Sequence, residues 1–340
     1  MRSRSALTRL ALVALLCSSL RAQDNPAANV PAAPQPAART AAQPATQQAG
    51  TAGQVTPDEL YEVGKTLFDA FAPDDVKQEY EFPSREQWNA FVPRLQKALE
   101  GSSMEELAGL EDEARQALHF LAQFEGTEDL CLWLRERLEL VEAARDLTPA
   151  KPGQAPRPVP KPPLTDKGSQ PGIPAYDYWL ARLKDRPVPA RADALLPLLT
   201  RCFDEEKSPV ALLWLAEVES TFNAGAKSPA GAAGLYQLMP VTARSLGLST
   251  TLPDDRTHPE KNARAAARLL RTLHGKFGDW PLALAAYNAG EGRVRRLLAK
   301  HKASTFSGIA DALPVETRLY VPKVLATVAT RTGVTPDKLR

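Results

Sequence analysis

From Val210 to Val218 the chain is apolar at every position except Glu217, and it then delivers a second acid, Glu219, into Ser220-Thr-Phe222. A helix with no polar face must be enclosed on all sides, so this run demands that the surrounding chain pack around it. An ionised carboxylate is costly in such a place unless it is paired or performs chemistry. Glu217 and Glu219 stand about 200° apart around a helix axis, so one cleft cannot receive both. Periodicity does not choose between them. A carboxyl at the C-terminal end of an apolar helix feels desolvation and the negative end of the helix dipole. Both favour the protonated form, which is what a general acid working near neutral pH requires.

The rest of the chain offers helices to do the enclosing. Residues 174–340 carry apolar positions at Trp179, Leu183, Leu195, Leu198, Leu199 and Phe203. After a glycine-bearing loop, a short helix is expected at Thr242 to Leu246, then an amphipathic one over Asn262–Phe277 with Ala266, Leu269, Leu270 and Leu273 inward. An apolar helix follows at Leu282–Ala289, and Thr317–Arg331 closes the segment. No strand pattern of useful length appears, so the fold class is all-α, mainly helical.

Upstream, residues 55–148 read as a small acidic helical bundle. Thr56 caps a first helix with Pro57 and Glu59 behind it and a stripe of Leu60, Val63, Leu67 and Phe71. Further helices are expected near Ser84–Leu99, Ser103–Gln123 and Asp129–Asp146; in the first of these Ser84 and Gln87 form a capping box, and Trp88, Phe91, Leu95 and Leu99 share a face. His119 has no second ligand near it and reads as a surface or half-buried helix residue. Two stretches have no apolar periodicity: residues 23–54, rich in Ala, Pro, Gln and Thr, and the proline-rich residues 149–173. The first reads as a disordered spacer and the second as an extended linker.

The N-terminus is basic and leads into Leu10-Ala-Leu-Val-Ala-Leu-Leu-Cys-Ser-Ser-Leu20, an apolar run too short to span a bilayer. It fits the core of a signal peptide over residues 1–22, cleaved after Ala22, which directs the mature chain to the periplasm or cell envelope without a transmembrane helix. Cys17 is preceded by Leu16, where a lipidated cysteine needs small residues, so lipid anchoring is not expected. Cys131 and Cys202 read as small buried side chains. The formal charge of +2 conceals an asymmetry: residues 55–148 hold 9 basic and 22 acidic side chains, residues 174–340 hold 24 and 16. The basic residues are scattered along helices without a nucleic-acid motif, so no nucleic-acid partner is expected.

Three ordered motifs add chemistry. Glu219-Ser-x-Phe222 runs into Ser228-Pro-Ala-Gly-Ala-Ala-Gly-Leu-Tyr-Gln-Leu-Met-Pro-x-Thr-Ala243. Trp280-Pro-Leu-Ala-Leu-Ala-Ala-Tyr-Asn-Ala-Gly-Glu-Gly-Arg-Val294 and Leu313-Pro-Val-Glu-Thr-Arg-Leu-Tyr-Val-Pro-Lys-Val-Leu325 follow. Together they resemble the soluble lytic transglycosylase family, enzymes of lysozyme-like fold that cleave the glycan strands of peptidoglycan. Arg186-Pro-Val-Pro-Ala-Arg191 with Ala211 to Glu219 most resembles the membrane-bound transglycosylase D branch. The resemblance covers about residues 175–335 and implies a lysozyme-like catalytic domain over 174–340, behind the acidic bundle.

It implies that Glu219 is the single catalytic acid and base, with Glu217 off the motif. Ser228 sits where the family places a hydroxyl near the reacting sugar. Gln237 and Met239 would line the glycan cleft, with Met239 equally readable as core. Tyr287 and Asn288 fall in the active-site block, Tyr287 either hydrogen-bonding near the carboxyl or packing on the sugar, and Glu316 and Tyr320 would complete the wall. Gly231 and Gly234 permit a turn and also let backbone approach a sugar. Tyr236 stands where tryptophan or methionine is common, and His258 where aspartate is usual, a change read as local to a helix entry.

No second motif carboxylate is suited to act as nucleophile opposite Glu219, whereas ordinary glycosidases use two carboxyl groups flanking the bond. The family resolves this through its substrate. Glu219 would protonate the oxygen linking N-acetylmuramic acid to N-acetylglucosamine, then take the proton from the muramoyl C6 hydroxyl as it closes onto C1, leaving a 1,6-anhydromuramoyl end with no metal or cofactor. The expected partner is peptidoglycan, with other wall or secretion-system proteins reached through residues 55–148. A goose-type lysozyme that hydrolyses the same bond, and a non-catalytic peptidoglycan-binding scaffold, are the alternatives.

Overall fold

The computed structural model describes residues 65, 69, 84–122, 127–149 and 172–339, with only the backbone of residues 85–90 and 92. The signal peptide, the spacer over 23–54, the stripe from Leu60 to Phe71, the side chain of Gln87 and nearly all of the proline-rich linker lie outside what is described. The chain divides into two compact units, Met1–Asn89 and Ala90–Arg340. In the first, Lys65 and Asp69 lie on helical backbone one turn apart and pair at 2.8 Å. The second unit holds everything that follows.

Among the described residues the helices are α1 (Arg85–Glu100), α2 (Met104–Ala108), α3 (Glu111–Leu121), α4 (Glu128–Leu147), α5 (Tyr176–Leu183) and α6 (Ala192–Glu205). They continue as α7 (Leu215–Ser220), α8 (Pro240–Ser245), α9 (Pro259–Phe277), α10 (Trp280–Ala289), α11 (Glu291–His301) and α12 (Val315–Thr332). Extended pairing is confined to isolated bridges, Lys227 with Ala233 and Ala233 with Leu238. The all-α class is borne out. No helix among the described residues is long and apolar enough to cross a membrane.

Most of α12 is buried. Val315, Leu319, Val321, Val324, Leu325, Ala326 and Val328 are all buried, together with Thr317, Lys323 and Thr327. A helix buried on every face needs neighbours on every face. α12 packs against α5, α10, α7, the 210–214 turn and α4. The run expected to dictate the packing, Val210–Val218, is thus one wall around a longer buried helix.

That run also is not one helix. Val210–Trp214 is a 3₁₀ turn that passes into α7 at Leu215. Pro209 supplies no N–H and begins the tight turn, whose Leu212 N–H bonds back to the Pro209 carbonyl at 2.9 Å. The helix expected over Ser103–Gln123 is likewise two, α2 and α3, parted at Gly109-Leu110. Ser103 caps α2 as its side chain accepts from the Glu106 N–H at 3.1 Å. α11 has no counterpart among the expected helices. Its sequence was absorbed in a motif block, and only Val294 of it is buried.

The reading from sequence drew a boundary at 149–173. The described residues on both sides of it, from Ala90 onward, fall in one compact unit. α4 is the reason: Lys323 on α12 pairs with Glu139 at 2.8 Å, and Arg186, just beyond α5, pairs with the same carboxylate at 2.9 Å. Acids of α4 thus meet bases of the later helices within this unit: Glu139 meets Arg186 and Lys323, and Glu142 meets Arg182. Cys131 and Cys202 are buried and unbridged. His119 is exposed.

Candidate active site

The two acids part company in the structure. Glu217 is buried and receives a two-armed pair from Arg331 at the end of α12, with Nε to Oε2 at 2.8 Å and Nη2 to Oε1 at 2.6 Å. Glu219 is half-buried, and the Tyr320 hydroxyl donates to its Oε1. Burial raises the Glu219 pKa to about 7, against the Tyr320 hydrogen bond and the Arg137 charge, which pull it down. The Glu316 carboxylate pushes it further up and Lys323 pulls it down. The expectation of a raised carboxyl is met by desolvation, with Tyr320 as its restraint. A carboxyl with this proton affinity is populated in both forms near neutral pH, as a group that must first give and then take a proton requires.

α7 stops abruptly. Thr221 and Phe222 both take left-handed backbone, φ 50° and 56°, and their N–H groups bond back to the carbonyls of Glu217 and Ala216 at 3.1 Å. A left-handed threonine is uncommon, because its branched side chain crowds the following carbonyl. Ser220 holds the arrangement from below. It is fully buried, and its hydroxyl donates to the Leu235 carbonyl at 2.8 Å. The Glu219-Ser220 pair therefore has a division of labour: one side chain meets Tyr320 of α12, its neighbour ties the helix end to the glycine loop.

The loop from Ser228 to Met239 is set by three anchors. The Asn262 amide oxygen accepts from the Tyr236 N–H at 2.9 Å, and the Arg256 guanidinium donates to the carbonyls of Gly231 at 2.7 Å and Leu238 at 3.0 Å. Gly234 carries φ +85°, and a Cβ there would lie 1.9 Å from the Arg256 carbonyl oxygen. The close approach at Gly234 is to protein backbone. Gly234→Ala is expected to destabilise the fold by about 2 kcal/mol or more, read as a lower midpoint in urea with an unchanged slope.

The expected site residues fall into different places. Ser228 is buried, and its Oγ accepts from the Ala232 N–H at 3.0 Å, closing the turn. Gln237, at φ 43°, donates its amide to the carbonyls of Gly234 at 2.8 Å and Ala226 at 3.2 Å. Met239 is 41% exposed, so it lies at the surface and not in the core. Tyr287 donates to the Tyr236 carbonyl at 2.6 Å, and its own pKa is raised well above the usual value by burial and then by Glu219. The Asn288 side-chain oxygen accepts from buried Thr317 at 2.6 Å, tying α10 to α12. Glu316 pairs with Arg137 at 3.3 Å. Tyr236 is fully buried with its hydroxyl on the Leu213 carbonyl at 3.0 Å. His258 caps α9 through its ring nitrogen and the Lys261 N–H at 3.5 Å.

Tyr320, rather than Tyr287, touches the Glu219 carboxyl. Tyr320→Phe removes a hydrogen bond that favours the ionised form of Glu219, so the carboxyl should titrate at higher pH. The alkaline limb of any Glu219-dependent activity is then expected to move up by on the order of half a pH unit. A pH profile of the variant checks this. Sequence reading missed Arg256 and Asn262, which sit in no quoted motif, and missed Glu136 and Arg137, two charges among many on an acidic helix. Only the run Asp254-Asp-Arg256 carried a signal, an arginine flanked by acids that could hold it.

Comparison with known proteins bears out the resemblance seen in the motifs. Residues 204–309 match the family model described as Transglycosylase SLT domain. The membrane-bound lytic murein transglycosylase D of Escherichia coli (strain K12) is 38% identical over 143 residues, covering 41% of this chain and 32% of that protein. The soluble lytic murein transglycosylase of Salmonella typhimurium is 40% identical over 121 residues, 33% of this chain and 19% of that protein. The chain thus spans about a third of the length of the first relative and less of the second. Among solved structures, the 70 kDa soluble lytic transglycosylase of Escherichia coli is 20% identical, covering 84% of this chain and 59% of that one, at a TM-score of 0.38. A likeness that slight carries nothing about the site.

Proposed function

We propose that this protein is a lytic transglycosylase that cleaves the bond from N-acetylmuramic acid to N-acetylglucosamine in peptidoglycan, leaving 1,6-anhydromuramoyl ends. The observation that carries this reading is the Glu219 carboxyl at the end of α7 in the matched segment, half-buried, raised to about 7 and held by Tyr320. Glu219 protonates the glycosidic oxygen as the C1–O bond breaks. It then accepts the proton of the muramoyl C6 hydroxyl as that oxygen bonds to C1. The second step returns Glu219 to its protonated form, so the cycle balances without a water molecule.

In this reading Tyr320 orients the carboxyl, and Ser228, Gln237, Met239, Tyr287, Asn288 and Glu316 form the walls that receive the glycan. Residues 174–340 carry the chemistry. The acidic stretch 55–148 leads into it, and the N-terminal 22 residues direct the chain to the periplasm. The names of the relatives, lytic murein transglycosylases both membrane-bound and soluble, support the substrate class.

The test is mass spectrometry of muropeptides released from purified sacculi. Anhydro ends, one water lighter than the hydrolysed product, are expected. Reducing muramoyl ends in their place would make the protein a lysozyme-type hydrolase, and intact glycan would leave a binding scaffold.

A further inference from the structure

α4 lies wholly outside the matched segment, yet it reaches the end of α7 that carries Glu219. Asn223 donates to Asp129 at 3.2 Å, and the Thr221 hydroxyl stands 3.5 Å from the Glu136 carboxylate. Between these acids and α12 lies one guanidinium. Arg137 is 3.4 Å from Glu136 and 3.3 Å from Glu316, and its face rests over the Trp133 ring at 5.2 Å. Its side chain is 24% exposed, that of Glu136 13% and that of Glu316 21%, so the trio is half-buried and not a freely solvated surface pair. α4 has a second electrostatic hold one turn further along, where Glu139 pairs with Lys323 and Arg186. Those two cations keep Glu139 ionised, with a pKa of about 2 in spite of burial. Glu136 is pushed the other way, to about 8, by burial first, against Arg137 and Lys323, with the charges of Glu219 and Glu139 adding to the rise.

We propose that Arg137 is a positioning residue of the active site: it ties Glu136 and Glu316 together beside Glu219 and so governs the proton transfers that Glu219 makes. This rests on the transglycosylase reading above. The charged and titratable groups facing Glu219 are Arg137 and Glu136 from α4, Glu316, Tyr320 and Lys323 from α12, and Tyr287 from α10. Of these, Arg137 and Glu316 act on Glu219 with opposite sign, and they are bonded to each other. A guanidinium suits the post because its fixed plane can donate to two carboxyl groups at once, the Glu316 carboxylate and Glu136 in either protonation state, which an ammonium cannot do in a fixed geometry. The consequence is that the matched segment, residues 204–309, is not the whole machine: Arg137 precedes it and Glu316 follows it.

The experiment is a pH profile of anhydromuropeptide release by the full chain and three variants. Arg137→Gln is expected to lower the optimal rate about tenfold and move the alkaline limb up by on the order of half a pH unit, because a charge that favours ionised Glu219 is gone. Glu316→Gln is expected to move the limb down. Arg137→Lys keeps the charge but not the bridge, so it should keep the wild-type limb while losing rate. A purely structural role would lower the amount of folded protein without moving any limb. An Arg137→Gln profile that overlays wild type, or that shifts with Glu316→Gln, overturns the proposal. If Arg137→Gln does not fold, a displaced limb in Arg137→Lys does so. Should wild type release no anhydro ends, the functional reading falls by itself. The proposal then stands or falls on carbon NMR titration of the Glu219 carboxyl, which should move in opposite directions in Arg137→Gln and Glu316→Gln.

Discussion

Glu219→Gln is expected to reduce anhydromuropeptide release by roughly a thousandfold, the scale of losing a positioned general acid. Glutamine has nearly the same shape, and its oxygen can still accept the Tyr320 hydrogen bond, so glycan binding should persist. The same substitution should stabilise the fold at alkaline pH. The folded-state pKa of about 7 lies above the ordinary 4.5. A carboxyl with a raised folded pKa contributes its full stability below about 4.5, and that contribution is lost as pH rises toward 7. Above pH 7 the ionised group is a burden on the fold, on the order of 2 kcal/mol after allowance for its partial exposure. Thermal melts of Glu219→Gln should therefore match wild type below about pH 4.5 and exceed it by a few degrees at pH 8. Undiminished cleavage by the variant, or equal melts at both pH values, would show that Glu219 is an ordinary helix-end acid.

The pH dependence of activity has the matching sign. The free enzyme needs Glu219 protonated to begin, so kcat/KM should decline as pH rises through about 7. One group causes both losses, but over adjoining intervals: stability falls between about pH 4.5 and 7, and activity falls as pH rises through about 7.

Much of this was legible in the sequence, for reasons that differ by residue. The all-α class could be read because Leu270, Leu273 and their neighbours repeat at helical spacing, and the structure buries them. The conflict posed by two acids on an apolar run was legible because burial and charge are both local properties. The motif singled out Glu219, but the partner of each acid was not legible, since Arg331 lies 114 positions from Glu217 and Tyr320 lies 101 positions from Glu219. Periodicity does not report which distant side chain will meet a carboxylate. The same limit hid Arg137. Within its own helix it looks like one of several solvated charges, and only the packing of α4 on α12 and α7 gives it partners. Gly109, which parts α2 from α3, and Pro209, which opens a 3₁₀ turn where a helix was expected, are local signals of the kind that sequence does carry. They were outweighed by the apolar runs beside them.

The second acid yields the opposite prediction. Glu217 and Arg331 form a two-armed pair with side-chain exposures of only 4% and 8%. Arg331 also donates to the carbonyls of Arg186 at 2.8 Å and Pro187 at 3.0 Å, which gives the Arg186-Pro-Val-Pro189 stretch its structural role. Its guanidinium lies 5.8 Å from the Trp214 ring centroid. Glu217→Gln leaves that buried guanidinium with no counter-charge, and breaking such a pair from one side costs about 3–4 kcal/mol. The melting temperature should fall by roughly 10 °C for a unit of this size, while the rate per folded molecule and its pH profile stay at wild-type values. Arg331→Met should cost a similar amount. The double variant Glu217→Leu with Arg331→Met removes both charges, and it should recover part of the loss, because the penalty comes mainly from the unpaired partner. A double-mutant cycle by thermal melting measures this directly. Loss of turnover with unchanged stability in Glu217→Gln would reverse the assignment of the two acids. Either way, two carboxylates two residues apart are separable by experiment, one through the rate and the other through the melt.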